Sequence, residues 1–168
     1  MFKVVGAVMV ITACALWGSL KAGELREHDA LLLALLSALE TMRAEITSRL
    51  TPMPEIAERL ARTGPEQTRP FFSLLDGRLC ELGDREFSEI WSECVSALYL
   101  PRDEEGVLRD LGRVLGRYGP AEQGAALELC MEALSAAQKE AHAEARSGSR
   151  LWTGVSLTAG MLLAVMLI

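Results

Sequence analysis

The segment ALLLALLSALETMRAEI, residues 30–46, is typical of an amphipathic helix. Its apolar residues recur at three- and four-residue spacing, which places them on one helix face. They are Leu32, Leu35, Leu36, Leu39, Met42 and Ile46. The apolar run inside this segment, residues 30–39 between Asp29 and Glu40, is only ten residues long. Because a membrane-spanning helix needs about 20 apolar residues, we expect the segment in the core of a helical bundle.

Further helices are predicted on the carboxyl side of this segment, separated by proline and glycine. Thr51 is a good N-cap and Pro52 suits the first position of a second helix. The remaining boundaries carry similar signals, at Gly64-Pro65, Gly83-Asp84, Pro101 and Gly119-Pro120. Asp84 is the expected N-cap of the fourth helix. Since no stretch alternates as a half-buried strand does, we predict an all-α bundle of about six helices.

Charge is concentrated in the middle of the chain. Residues 22–150 hold all 23 acidic residues and 15 of the 17 basic ones, which gives this stretch a net charge of −8. A protein surface that binds the phosphate backbone is basic. We therefore expect no nucleic acid among the partners of this acidic domain.

The sequence offers no recognisable set of residues for chemistry. It has no glycine-rich phosphate loop, no HExxH and no GxSxG. The four cysteines are Cys14, Cys80, Cys94 and Cys130, and they form no CxxC pair. An odd number in the middle of the chain fits a reducing compartment better than a disulfide framework. We predict no catalytic residue, no cofactor and no metal site, and interpret the chain as a binding protein, not an enzyme.

Both ends of the chain are apolar enough to predict transmembrane helices. Residues 4–20 are uncharged between Lys3 and Lys21, and residues 151–168 are uncharged as well. The first run spans about 26 Å as a helix, and its flanking lysines compensate for the difference from a hydrocarbon core of about 30 Å. The predicted segments are a transmembrane helix at 1–20, a helical-bundle domain at 21–150 and a transmembrane helix at 151–168.

Basic residues near the predicted spans indicate the orientation of the protein. Those on the domain side are Lys21, Arg26, Lys139, Arg146 and Arg150, whereas Lys3 lies on the other side. Because cytoplasmic flanks carry the excess of Lys and Arg, we predict a two-span protein of the cell membrane with its central domain in the cytoplasm. Two alternatives stay open: the first run as a cleaved signal peptide, or residues 11–14, ITAC, as a lipoprotein signal.

Several short motifs follow one another along the chain. They are residues 1–7, Ala44-Glu45-Ile46 followed by Thr51-Pro52, Trp91 with Glu93, and residues 111–116 followed by Gln123. In order and spacing, and with the two-span plan, they resemble the stage III sporulation protein AB family over essentially the whole chain. One position departs from the family pattern, which usually has an acid three residues after the second glycine of residues 111–116, where this chain has Gly119.

The resemblance implies a role in the channel apparatus that links mother cell and forespore. The family's cytoplasmic domain is similar to the helical domains of platform protein F of type II secretion and type IV pilus systems. By that analogy the chain is a platform or adaptor in the mother-cell membrane around the forespore. It would couple a cytoplasmic ATPase, the AA protein of the same operon, to other channel proteins. Apart from the analogy, the apolar ends imply contact with membrane lipid, and a second copy of the chain stays open as a further partner.

The same resemblance suggests candidate partner-binding residues, which are Glu45, Thr51, Trp91, Gly112, Gly116 and Gln123. Glu45 and Gln123 are expected to be exposed. For the others, and above all for the indole of Trp91, a role in holding the bundle together is the simpler expectation. Two alternative functions remain: a generic secretion or pilus platform component, and a lipoprotein or exported helical binding protein.

Overall fold

The computed structural model describes the backbone of residues 2–167 and the side chains of residues 23–143. Within these residues the chain forms six α-helices: α1 Phe2–Ala44, α2 Met53–Thr63, α3 Arg69–Arg78, α4 Phe87–Ser96, α5 Arg102–Val114 and α6 Pro120–Leu167. A π-helical turn, Glu45–Arg49, follows α1, and a 3-10 turn, Leu79–Glu81, follows α3. Residues 2–167 contain no strand, only an isolated bridge between Leu82 and Arg85. The all-α prediction with six helices is confirmed.

The chain divides into two compact units. One is Ala30–Gln138, and the other combines Met1–Asp29 with Lys139–Ile168. In the second unit, Nδ1 of His142 lies 2.9 Å from Oδ2 of Asp29. Over the described residues, no helix is both long enough and apolar enough to cross a membrane. The predicted spans, at 1–20 and 151–168, lie outside the residues whose side chains the structure describes.

The core of the unit Ala30–Gln138 contains the helix face predicted for residues 30–46. Leu36 is half-buried, and the other members of that face are buried: Leu32, Leu35, Leu39, Met42 and Ile46. Trp91 and Phe72 are the largest fully buried side chains of the chain's described part. Since each such side chain contributes about 1.5–3 kcal/mol when it leaves water, this apolar core is the main source of the bundle's stability.

Successive helices lie side by side, because short connections join α2 to α3, α3 to α4 and α4 to α5. The start of α6 contacts the end of α1, where a Cβ added to Gly124 would lie 2.6 Å from Cγ2 of Thr47. Residues 86–88 at the start of α4 lie beside residues 112–117 at the end of α5. One end of the bundle therefore gathers residues 45–54, 86–88 and 112–124, which we call the turn end.

Both N-cap predictions are wrong. Helix α2 begins at Met53, with Pro52 in the cap position, because the Thr51 hydroxyl donates to Glu45 and not to the backbone of the helix. Helix α4 begins at Phe87, with Glu86 in the cap position. Asp84 lies before it, in a turn where its N–H donates to the carbonyl of Glu81. Tertiary and turn contacts thus displaced two side chains whose local preference is to cap a helix.

Candidate partner-binding site

Glu45 is the ionic centre of the connection between α1 and α2. Its carboxylate accepts hydrogen bonds from three side chains: Arg49 Nη1 at 2.7 Å, Thr51 Oγ1 at 2.8 Å and Arg59 Nη1 at 2.6 Å. Its backbone carbonyl accepts the N–H of Thr51 at 3.1 Å. Arg59 lies on α2, so this one carboxylate ties the end of α1 to the next helix.

These donors decide the charge state of Glu45. The Thr51 hydroxyl, together with the positive charges of Arg49 and Arg59, holds the pKa of the Glu45 carboxyl below its ordinary value, although burial acts in the opposite direction. Its side chain is 9% exposed. The expectation that Glu45 is exposed is therefore wrong, because its three partners cover it. Glu45 and Thr51 therefore stabilise the α1–α2 connection through the hydrogen bond between their side chains.

Leu50 follows the π-helical turn in a left-handed backbone conformation, with φ 55° and ψ 33°. Its N–H donates to the carbonyl of Glu45. Helices commonly end on a residue in this conformation, which is usually glycine and sometimes asparagine. Here the residue is a leucine that is 67% exposed. The turn held by Glu45 therefore presents a large apolar side chain to solvent.

Trp91 and Gly112 form a close contact between α4 and α5. Trp91 is fully buried, and its Nε1 donates to the carbonyl oxygen of Leu108 at 2.7 Å. A Cβ added to Gly112 would lie 2.7 Å from Cγ of Trp91, well inside the contact distance. The indole thus occupies the space that a side chain at position 112 would take. The ring of Phe71 meets the indole edge-on at a centroid distance of 5.2 Å.

Gly116 lies just beyond the end of α5, with φ +76°. An L residue adopts this backbone conformation only at a cost in free energy, so glycine suits the position. The ring of Phe87 lies at ordinary van der Waals distance, 3.6 Å from where a Cβ would be. Between residues 86–88 and residues 112–117 the surface has an open hollow of about 300 Å³. Arg113 and Arg117 line it, and both are exposed.

The second member of the Trp91-x-Glu93 motif faces outward. Glu93 accepts hydrogen bonds from Arg85 and Arg78, which come from the α3–α4 connection and from the end of α3. Arg85 and then Arg78 hold the pKa of the Glu93 carboxyl below its ordinary value. One short motif therefore joins α4 to α5 through an apolar ring and to α3 through an ionic network.

Gln123 lies in the first turn of α6. Its Nε2 donates to the carbonyl oxygen of Tyr118 at 2.6 Å, and its backbone N–H donates to the carbonyl oxygen of Gly119 at 3.0 Å. The side chain is half-buried. At Gly119, a Cβ would lie 2.7 Å from Oε2 of Glu122. A carboxylate therefore lies near position 119, where this chain departs from the family pattern, but it belongs to Glu122 in the first turn of α6.

The structure thus separates the six candidate residues by what they contact. Trp91 and Gly112 contact each other inside the bundle, whereas the other four, Glu45, Thr51, Gly116 and Gln123, belong to the turn end. Arg59, Phe87 and Leu50 were missed by the sequence reasoning. The signal for Leu50 was available, because the chain passes from a helical pattern to Thr51-Pro52 without the glycine that usually ends a helix.

The three described cysteines are free thiols, Cys80 exposed and the other two buried. Burial raises the pKa of the Cys94 thiol, and that of the Cys130 thiol to about 12. Among the side chains of residues 23–143, no three His, Cys, Asp or Glu residues converge as ligands for a metal ion.

Comparison with known proteins gives consistent matches. A family model described as stage III sporulation protein AB matches residues 3–168. The chain is 23% identical over 171 residues to stage III sporulation protein AB of Bacillus subtilis (strain 168), a match that covers 99% of each chain. A solved structure of stage III sporulation protein AB is similar in fold, with a TM-score of 0.63 at 22% identity, over 70% of this chain and 95% of that chain.

Proposed function

The chain belongs to the stage III sporulation protein AB family, and on that premise we propose that it is a membrane platform or adaptor protein. Its role is to couple a cytoplasmic ATPase, the AA protein of the same operon, to membrane components of the channel apparatus between mother cell and forespore. The observation that carries this proposal is the family match over residues 3–168, which includes both apolar runs as well as the helical bundle.

The membrane attachment is part of the proposal. Residues 1–20 and 151–168 cross the mother-cell membrane around the forespore, and residues 21–150 lie in the cytoplasm. The uncharged runs and the basic residues on their domain side support this topology. In this arrangement a span precedes the bundle domain in the chain and another follows it, so a partner that binds the domain is recruited to the membrane.

The ATPase docks on the turn end. Two features support this assignment: the hollow between α4 and α5, and the fixed shape of the α1–α2 connection. The three donors on Glu45 link that connection to itself and to α2 by hydrogen bonds, which favours an ordered turn. A surface that is already ordered loses little conformational entropy on binding, which favours affinity.

Direct binding tests the adaptor role. The full chain in lipid nanodiscs would be titrated with the purified ATPase. We expect saturable binding, and a double variant, Arg113→Glu with Arg117→Glu, should weaken it by about tenfold, because two charges beside the hollow are reversed.

Arg62→Glu serves as the matched control for that titration. Arg62 is an exposed arginine near the end of α2, away from the turn end, with 77% of its side chain exposed. Its reversal should leave the dissociation constant within about twofold of the unsubstituted value. Absence of binding by the unsubstituted chain would contradict the adaptor role. An equal loss in both variants would contradict docking at the turn end.

The cytoplasmic placement has a separate test. Cys80 is exposed, whereas Cys94 and Cys130 are buried, so a membrane-impermeant maleimide reports on Cys80 when the chain carries Cys14→Ser. In protoplasts of non-sporulating cells that express this variant, where it lies in the outer cell membrane, we expect labelling only after permeabilisation. Labelling of intact protoplasts would favour the exported or lipoprotein alternative and would overturn the proposed topology.

A further inference from the structure

Leu50 combines two features that each cost free energy. Its backbone is left-handed, with φ 55°, a conformation that places Cβ too close to the following carbonyl oxygen in L residues. Its apolar side chain is 67% exposed to solvent. Glycine or asparagine would fit the backbone with less strain, and asparagine would also be better solvated. The fold of the turn therefore gives no reason for leucine at this position.

The surrounding contacts keep Leu50 in place. Its N–H donates to the carbonyl of Glu45, and so does the N–H of Thr51. The carboxylate of Glu45 is bound in turn by Thr51 and Arg59. These hydrogen bonds use the backbone of residue 50 and the side chains of its neighbours. They fix the direction of the Leu50 side chain without requiring that it be leucine.

Three of the four residues that follow Leu50 are apolar as well, whereas Thr51 directs its hydroxyl to Glu45. Pro52 and Pro54 are exposed and Met53 is half-buried, so residues 50–54 form a short apolar knob at the turn end. Nearby, Arg49 and Arg59 pair with Glu45 and Glu55, so that two positive charges are balanced by two negative ones. In a domain with a net charge of −8, this knob is an electrically balanced apolar projection. Such a projection fits an apolar pocket better than a charged surface.

We propose that Leu50 is the residue by which the bundle anchors itself in an apolar pocket of the ATPase. This inference rests on the proposed function and names the contact within it. A leucine that is already fixed in direction loses little freedom when it is buried, and removal of its apolar surface from water favours association. The strained backbone at residue 50 is then part of the binding surface.

Tyr99 supplies a matched control. It is the second described non-glycine residue with a left-handed backbone, at φ 52°, and its side chain is 93% exposed. It lies in the α4–α5 connection, at the opposite end of the bundle from Leu50. Replacement of either residue by asparagine relieves the same kind of backbone strain and removes a large exposed side chain. The two replacements lie at opposite ends of the bundle.

The experiment compares Leu50→Asn and Tyr99→Asn in the full chain in nanodiscs. We expect the thermal midpoint of both variants to be equal to or higher than that of the unsubstituted chain. We expect the dissociation constant for the ATPase to rise by about ten- to hundredfold in Leu50→Asn, which is the effect of removing a buried leucine from an interface. Tyr99→Asn should change it by less than about twofold.

Leu50→Met separates an apolar anchor from a purely conformational role. Methionine has a similar volume and adapts to apolar pockets, so binding should stay within about fivefold of the unsubstituted chain. A loss as large as that of Leu50→Asn would contradict the anchor. So would unchanged binding by Leu50→Asn, with the adaptor role left intact, or a lowered thermal midpoint in that variant. Absence of binding by the unsubstituted chain would overturn the adaptor role itself, and the anchor with it.

Discussion

The α4–α5 contact and the α1–α2 connection both join consecutive helices, but they do so by different physics. The first is a contact of shapes, in which the indole of Trp91 fills the space left by the missing side chain of Gly112. The second is a contact of charges, in which the carboxylate of Glu45 holds three donors. The stability of a close-packed contact of this kind depends on the volume of each group and little on pH. A charge contact depends on protonation and tolerates changes of volume.

This difference separates the roles of the motif residues. Trp91 and Gly112 satisfy each other inside the bundle, so their pattern in the sequence is explained by packing. Glu45 and Thr51 are explained by a turn, but that turn exposes Leu50. A motif residue can thus affect partner binding indirectly, by fixing the position of a nearby residue that is exposed. Substitutions in the two regions should therefore give different signatures, and they are ordered below by the expected size of the effect.

Trp91→Ala should have the largest effect. It removes a fully buried ring and its hydrogen bond to Leu108, and it leaves a cavity beside Phe71. We expect the free energy of unfolding to fall by about 3–5 kcal/mol, measured by urea unfolding of the full chain in mild detergent. Trp91→Phe keeps part of the apolar volume and should lose less. A loss below about 1 kcal/mol for Trp91→Ala would mean that the α4–α5 contact is not a close-packed one.

Gly112→Ala tests the same contact with a single methyl group. Because the added Cβ would overlap the indole of Trp91, we expect a loss of about 1–3 kcal/mol in the free energy of unfolding. Gly106→Ala, in the same helix, is the matched control. No atom lies within 4 Å of its added Cβ, so helix propensity should raise stability by about 0.5–1 kcal/mol. If both variants change the free energy of unfolding in the same direction, the steric argument is refuted.

Gly116→Ala should have a smaller effect. The position has room for a methyl group, and the cost comes only from the backbone at φ +76°. We expect a loss of about 1–2 kcal/mol in the free energy of unfolding. Gly116→Asn should lose less, because asparagine tolerates the left-handed region. If alanine and asparagine behave alike, the strain at this position is not the cause.

Glu45→Gln should show its effect mainly as a change in pH dependence. Because the folded-state pKa of Glu45 lies below its unfolded value, its ionised form favours the fold above the ordinary glutamate pKa. That contribution is lost as the pH falls through the folded-state pKa. We therefore expect the thermal midpoint of Glu45→Gln to be lower than that of the unsubstituted chain at neutral pH, with the difference shrinking below about pH 4.

The measurement is a series of thermal scans of both proteins from neutral to acid pH. Arg78→Gln offers a comparison, because it weakens a carboxylate network, that of Glu93, outside the turn end. A difference between Glu45→Gln and the unsubstituted chain that stays constant across the range would show that the carboxylate contributes by shape and not by charge.

The sequence was sufficient where the determinants are local. Apolar spacing predicted the buried face from Leu32 to Ile46, and proline and glycine predicted the breaks between six helices, because both signals act within a few residues. The burial of Glu45 could not be predicted, since one of its donors, Arg59, comes from the next helix. Gly112 and Gly116 were expected to help hold the bundle together, but only the fold shows that Trp91 packs against Gly112 and Phe87 against Gly116.

The N-cap errors have the same origin. Thr51 and Asp84 have the right chemistry for a cap, and their local preference was correctly recognised. In the folded chain Thr51 donates to a carboxylate six residues before it, and Asp84 lies in a turn that precedes the helix. Competition between local and non-local hydrogen bonds is decided by the whole fold, which a spacing argument does not include.

The fit between Trp91 and Gly112 also limits how the protein can be recombined with its relatives. A chimera that takes α4 from one parent and α5 from another inherits the residues at positions 91 and 112 from different parents. Where the second parent carries a side chain at position 112, that side chain overlaps the indole and the two helices pack less stably. Exchange points for designed hybrids therefore belong before residue 87 or after residue 116, so that both halves of this fit come from one parent.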